Sequence, residues 1–146
     1  MKVIDGDITE IKRGVIGHQV NCQLVMGAGL AKQIRDKWPH VFVEYKRMSV
    51  VKPENRLGMC QMVQADNEIF VANLFGQFNY IPRGTTHTDY NALASAMQAL
   101  NKWNQQAKLQ IFLPIGIGCG LAGGNWPTVE GIISTTLPTA IMVRKS

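Results

Sequence analysis

Residues 109–115, Leu-Gln-Ile-Phe-Leu-Pro-Ile, are apolar on both faces of an extended chain and lead straight into five glycines within residues 116–124. A strand with no polar face must be covered on both sides, so its sheet has to lie between two further layers. Glycine loses more conformational entropy on folding than any other residue, so a dense cluster of them destabilises unless it is needed. The cluster marks either a tight turn or a place where something approaches the backbone closely. The two features together predict a central strand of a covered sheet with a permissive loop at its carboxyl end.

The rest of the chain supplies the covering layers. Residues 2–8 and 14–21 read as strands, and Met26-Gly-Ala-Gly opens a helical run that Pro39 stops. Residues 41–49 continue as a second short helix, and 58–75 read as two strands joined at Asp66–Asn67. Ala92, Leu93, Ala96, Met97, Leu100 and Trp103 recur at three- and four-residue spacing, which predicts a helix over 89–107 capped by Thr88 or Asp89. Trp126–Leu137 predicts a helix with Pro127 near its first position, and 139–143 a last strand. With 146 residues and neither a repeat nor a linker-like stretch, the expectation is one domain over 1–146, a mixed sheet with helices on both faces.

Composition narrows the partners. The net charge of +5 is spread in units no longer than pairs such as Lys12–Arg13 and Lys46–Arg47. That suits an anionic small ligand or nucleic acid and decides between neither. Cys22, Cys60 and Cys119 are widely spaced with no C-x-x-C pair, and the histidines lack H-E-x-x-H spacing. Free thiols are expected, with no disulfide framework, no metal site and no cofactor. No apolar run approaches the roughly 20 residues that cross a bilayer. Asp5 and Asp7 stand where a leader would be apolar, so a cytoplasmic location without membrane contact is expected.

Two glycine loops, 20–31 and 114–126, each lie between a strand and a helix, the place where ligands bind in open α/β sheets. Helix N-termini and glycine backbones suit phosphate, so two such loops could clasp a diphosphate, or could be two tight turns. Residues 118–123 satisfy G-x-G-x-x-G, yet no acid and no further βαβ unit follow, which excludes a dinucleotide fold; no P-loop motif exists either. Asp7 could accept from an adenine amino group or form a turn, and Asn21 could bind a sugar hydroxyl or satisfy the loop backbone. Phe75 could stack on a base or sugar, or pack in the core, and Trp126 is expected to pack.

Gly6-Asp-Ile-Thr, Val20-Asn followed by Met26-Gly-Ala-Gly-Leu-Ala, and Pro114–Trp126 followed by a helix resemble, in order and spacing, the macrodomain family, which binds ADP-ribose. The likeness spans nearly the whole chain. It is nearest the subgroup with Met-Gly and Gly-Cys-Gly-Leu loops, which includes ADP-ribose-1″-phosphate phosphatases and ADP-ribosyl hydrolases. The resemblance implies a three-layer α/β/α fold with a central mixed sheet. It implies that Asp7 and Ile8 hold the adenine, that Asn21 faces the distal ribose, and that Gly27, Ala28 and Gly29 line one side of the ligand. Gly116, Ile117, Gly118, Cys119, Gly120 and Leu121 would wrap the diphosphate from the other side, with Phe75 beside the ligand. Its partner would be ADP-ribose, a derivative, or an ADP-ribosylated macromolecule.

Departures from the subgroup bear on catalysis. Some of its hydrolases use a lysine where this chain has Gln77, which cannot form a Schiff base, and an acid where it has Ala122. His18 remains: a histidine titrating near neutrality could activate water at the distal ribose, beside Asn21, or simply be packed. The expectation is an ADP-ribose-binding hydrolase with His18 and Asn21 as catalytic residues. The alternative is a non-catalytic reader or sequestering protein, and nucleic-acid binding ranks last.

Overall fold

A computed structural model describes residues 1–146. Its strands are β1 (Val3–Asp5), β2 (Gly14–Asn21), β3 (Cys60–Gln64), β4 (Ile69–Gln77), β5 (Ile111–Pro114) and β6 (Ile141–Arg144). They form one sheet in the order β1-β6-β5-β2-β4-β3, parallel throughout except for the antiparallel edge strand β3. Strand β5 thus lies inside the sheet, as its apolar run predicts. It is shorter than that run because the Asn104 amide takes both the N–H and the carbonyl of Leu109.

The helices are α1 (Gly29–Lys37), α2 (Pro39–Lys46), α3 (Pro53–Arg56), α4 (Tyr90–Ala107) and α5 (Trp126–Thr136). Pro39 both ends α1 and starts α2, since its ring blocks the i−4 hydrogen bond but suits a first helical turn. Asp89 caps α4 by accepting from the Ala92 N–H at 3.0 Å; Thr88 is used elsewhere. The four-residue α3 escapes sequence reading because one turn shows no periodicity.

Alternation along the strands separates two layers of core. Val15, Leu74, Leu113 and Met142 pack against Leu93, Met97, Leu100, Val129 and Ile133 of α4 and α5. Ile16, Val71 and Val143 face Ile34 of α1, Trp38 between the two helices, and Val41 of α2. The arrangement is the expected three-layer α/β/α fold. Its connections leave β2 through α1 and α2 on one face towards β3, and leave β5 through α5 on the other face towards β6. They diverge where β2 and β5 lie side by side, and that divergence opens a crevice at their carboxyl ends.

Leu113, fully buried on β5, measures how much the sheet depends on this layer. Leu113→Ala is expected to cost about 3 kcal/mol in denaturant unfolding, whereas Leu121→Ala, at a side chain 57% exposed, should stay within about 0.5 kcal/mol of the parent.

Candidate functional site

The crevice is a cleft of about 520 Å³ at the carboxyl ends of β5, β2 and β4. Its floor includes His18, Gln19 and Asn21 of β2 and Gln77 of β4; its walls are the two glycine loops. Arg83 is the one side chain lining it that carries a fixed charge, and no carboxylate lines it.

Loop one is built from Asn21. The Asn21 side-chain oxygen accepts from the Gln23 and Val25 N–H groups, and its amide donates to the Val25 carbonyl. Tyr45 donates to the Asn21 carbonyl, and the buried Arg56 donates to Cys22 and Met48 carbonyls with no carboxylate partner. Beneath lies a small core of Val20, Cys22, Leu24, Met26, Tyr45 and Phe75. This scaffold aims the loop at α1, whose N-cap is Ala28 and offers no side-chain oxygen. In contrast to α4 and α5, capped by Asp89 and Asn125, α1 starts with its N–H groups unclaimed. No bond within the chain is made by the N–H of Gly27, Ala28, Gly29 or Leu30.

Loop two follows the same logic. Ile117 and Cys119 donate within the loop, to Pro114 and Gly116 carbonyls, while the N–H groups of Gly116, Gly118, Gly120, Leu121 and Ala122 have no partner in the chain. The glycines divide by role. Gly118 adopts φ +74° and Gly124 would put a Cβ 2.5 Å from the Gly118 carbonyl oxygen, so both serve the turn itself. A Cβ at Gly120 would meet nothing within 4 Å, which leaves that position open towards an incoming group. The loop is tied across to the segment before α4, where Thr88 donates to the Gly118 carbonyl and the N–H groups of His87 and Thr88 reach Ala122.

His18 differs from its expected state. It is 2% exposed, its Nε2 lies 2.6 Å from Asn73 Oδ1, and burial holds the imidazole down to about 4, although the Asn73 bond opposes that shift. The ring therefore does not titrate near neutrality. The reason is its phase on β2: like Ile16 and Val20 it faces the α1–α2 layer.

Of the other expected residues, Asn21, Gly27, Ala28, Gly29, Gly116, Ile117, Gly118, Gly120 and Leu121 come together around the cleft. Asp7, Ile8, Phe75 and Cys119 do not line it. Asp7 accepts from the N–H and hydroxyl of Thr9 and caps a 3-10 turn, bonds that hold its carboxyl below the usual range. Ile8 packs in the α1–α2 core. Phe75 is fully buried, 5.7 Å from the Tyr45 ring, because strand alternation sends it under loop one. Cys119 packs towards the α4–α5 core, its thiol raised by burial; Cys22 is pushed up to about 11 for the same reason. Sequence reading missed Gln19, Tyr80 and Arg83 as cleft residues. Nothing local marks Tyr80 and Arg83: the 78–88 segment is held beside the cleft by bonds to both loops, from Cys22 and Gln23 to the Phe78 carbonyl and from His87 and Thr88 to Ala122.

A family model for the macrodomain matches residues 18–133. The chain belongs to the macrodomain family. It is 30% identical over 142 residues to a 17.5 kDa protein of the tk-vs intergenic region of Enterobacteria phage T4, covering 92% of this chain and 88% of that one. Among solved structures, a Bacteroides thetaiotaomicron protein of unknown function shares 31% identity with a TM-score of 0.88, covering 99% of this chain and 97% of the other. A macrodomain protein from Streptomyces coelicolor shares 27% identity with a TM-score of 0.80, covering 99% and 98%.

Two expectations test this macrodomain's site. Gly124→Ala should lose about 2 kcal/mol of stability by overpacking, while Gly120→Ala should melt within about 0.5 kcal/mol of the parent. The unfolded chain protonates His18 below its ordinary value of 6.5, and the folded chain only near 4. Between those values the unfolded state binds more protons, so stability falls as pH drops. Denaturant titration should therefore show a loss of about 2 kcal/mol from pH 7 to pH 5, absent in His18→Gln.

Proposed function

We propose that the protein binds ADP-ribose or an ADP-ribose derivative in this cleft. The observation that carries the reading is the two sets of unclaimed backbone N–H groups, Gly27–Leu30 in one loop and Gly116, Gly118, Gly120, Leu121 and Ala122 in the other, in a cleft without a carboxylate. Unpaired amides at a helix N-terminus and in a glycine turn favour phosphate oxygens, and two rows suit a diphosphate. Arg83 adds a further positive group at the same cleft. The family resemblance supplies the nucleoside and the second ribose on either side of that diphosphate.

Holding the ligand is the activity best matched by the lining residues. Gln77 and Ala122 stand where related hydrolases keep a lysine and an acid, and His18 is neutral across the physiological range. A reader or sequestering protein needs none of these groups. A second reading, hydrolysis at the distal ribose, is favoured by His18 and Asn21 lying together on the cleft floor. In that reading, rate comes from fixing substrate and water in place, since burial holds the His18 imidazole neutral.

Calorimetry with ADP-ribose is expected to show one site per chain, and Gly120→Ala to bind about tenfold more weakly without loss of stability. Silence at about millimolar ADP-ribose sinks the binding reading. Phosphate release from ADP-ribose 1″-phosphate then decides between holding and hydrolysis, with turnover by the parent protein as the mark of an enzyme.

A further inference from the structure

The 78–88 segment leaves the sheet at the end of β4 and returns before α4, and its two ends meet: Gln77 and Thr88 form an isolated antiparallel bridge. Between the ends stand Tyr80 and Arg83, both of which line the cleft. Gln19 of β2 lies across the junction. Its amide nitrogen donates to Gln77 Oε1 at 2.9 Å and to Thr88 Oγ1 at 3.0 Å.

Backbone carbonyls, which only accept, fix the direction of these bonds. The Asn79 carbonyl takes a proton from Gln77 Nε2 at 2.8 Å, so the Gln77 oxygen is turned to Gln19 and must receive a proton there. The Gly118 carbonyl takes the Thr88 hydroxyl proton, so the Thr88 oxygen must receive one as well. Two acceptors meet at one place, and the Gln19 amide nitrogen has two hydrogens. A carboxylate at position 19 would set acceptor against acceptor, and an apolar side chain would leave both oxygens without this donor.

Two glycines make room for the amide. A Cβ at Gly76 would lie 2.4 Å from Gln19 Oε1, and one at Gly118 would lie 3.0 Å from the same atom. That oxygen is buried without a hydrogen-bond partner, which is unfavourable. An apolar side chain of similar size would avoid the penalty, so what Gln19 contributes lies in its nitrogen.

The bonds lead from β2 through Thr88 to the Gly118 carbonyl, which also accepts from the Gly124 N–H at 2.9 Å. The Cys119 N–H of the same planar peptide donates to the Gly116 carbonyl, so both sides of that peptide are tied. The unclaimed N–H groups of Gly118 and Gly120 flank it on either side.

We propose that Gln19 is a positioning residue: acting through Thr88, it sets the orientation of the loop-two amides that meet the ligand's diphosphate. The ligand in this inference rests on the ADP-ribose reading above. The positioning itself belongs to the free protein, and Gln19 need not touch the ligand.

The test compares the parent with Gln19→Met and Gln19→Leu, which fill the space without a donor. It adds Thr88→Val, which removes the hydroxyl, Thr88→Ser, which restores it, and the Gln19→Met/Thr88→Val double variant. Amide hydrogen exchange reads the loops of the free protein, and calorimetry reads ADP-ribose affinity. Both Gln19 variants and Thr88→Val should speed exchange about tenfold at Cys119 and Gly124 of loop two and leave Gln23 of loop one at the parent rate. Each should bind ADP-ribose about tenfold more weakly, with Thr88→Ser within about twofold of the parent. The double variant should bind no more weakly than the weaker single variant, because both act along one path. Parental exchange in loop two, equal acceleration in both loops, or losses that multiply in the double variant would overturn the proposal. A parent that binds no ADP-ribose while the exchange pattern holds removes the ADP-ribose reading and leaves the positioning role standing.

Discussion

The structure depends on the parallel pairing of β2 between β5 and β4. Once β2 is hydrogen-bonded on both edges, its two faces must both be buried, and a helix layer is needed on each. Val15 and Gly17 then turn towards α4, and Ile16, His18 and Val20 towards α1 and α2. A Cβ at Gly17 would lie 2.6 Å from Leu113 Cδ2, so a larger residue there requires the Leu113 side chain to shift. The same pairing brings Asn21, Gln77 and Pro114 to one end of the sheet, so the cleft is a consequence of strand order rather than an addition to it.

What the cleft offers is mostly backbone. Polar side chains near it are committed to holding the loops: Asn21 to Val25, Arg56 to Cys22, Thr88 to Gly118. With the loops held in this way, nine of their backbone N–H groups are left without a partner in the chain, and no carboxylate lines the cleft. A site of this kind recognises an anion through preorganised N–H groups. It does not require a charged contact for every phosphate oxygen.

Much of this was legible without coordinates. Apolar strands, the 89–107 helix and both glycine loops follow from residue type and spacing, because each depends on local rules. The expected ligand-facing residues come mainly from the family resemblance, and nine of them line the cleft. Phe75 and Asp7, which do not line the cleft, share one feature. Both were read by their chemical capacity, stacking and accepting, which many environments could use. Which environment each met was settled by strand phase for Phe75 and by Thr9 for Asp7. Tyr80 and Arg83 were invisible because an irregular segment reaches the cleft through loop-to-loop bonds that no sequence pattern records.

By itself the sequence determined that the chain has a covered sheet, where its loops are permissive, and that Gln77 and Ala122 bring no lysine or acid to the site. Those are statements about residue identity and short-range pattern. Only the tertiary structure decided the state of His18. A histidine in a strand is compatible with a neutral base, a cation or a packed ring. The choice was made by Asn73, 55 residues away, by Gln61 on the next strand, and by a carbonyl of α2. Hydrogen-bond direction passes through space from acceptor to donor, and three elements had to meet before one proton had a fixed place.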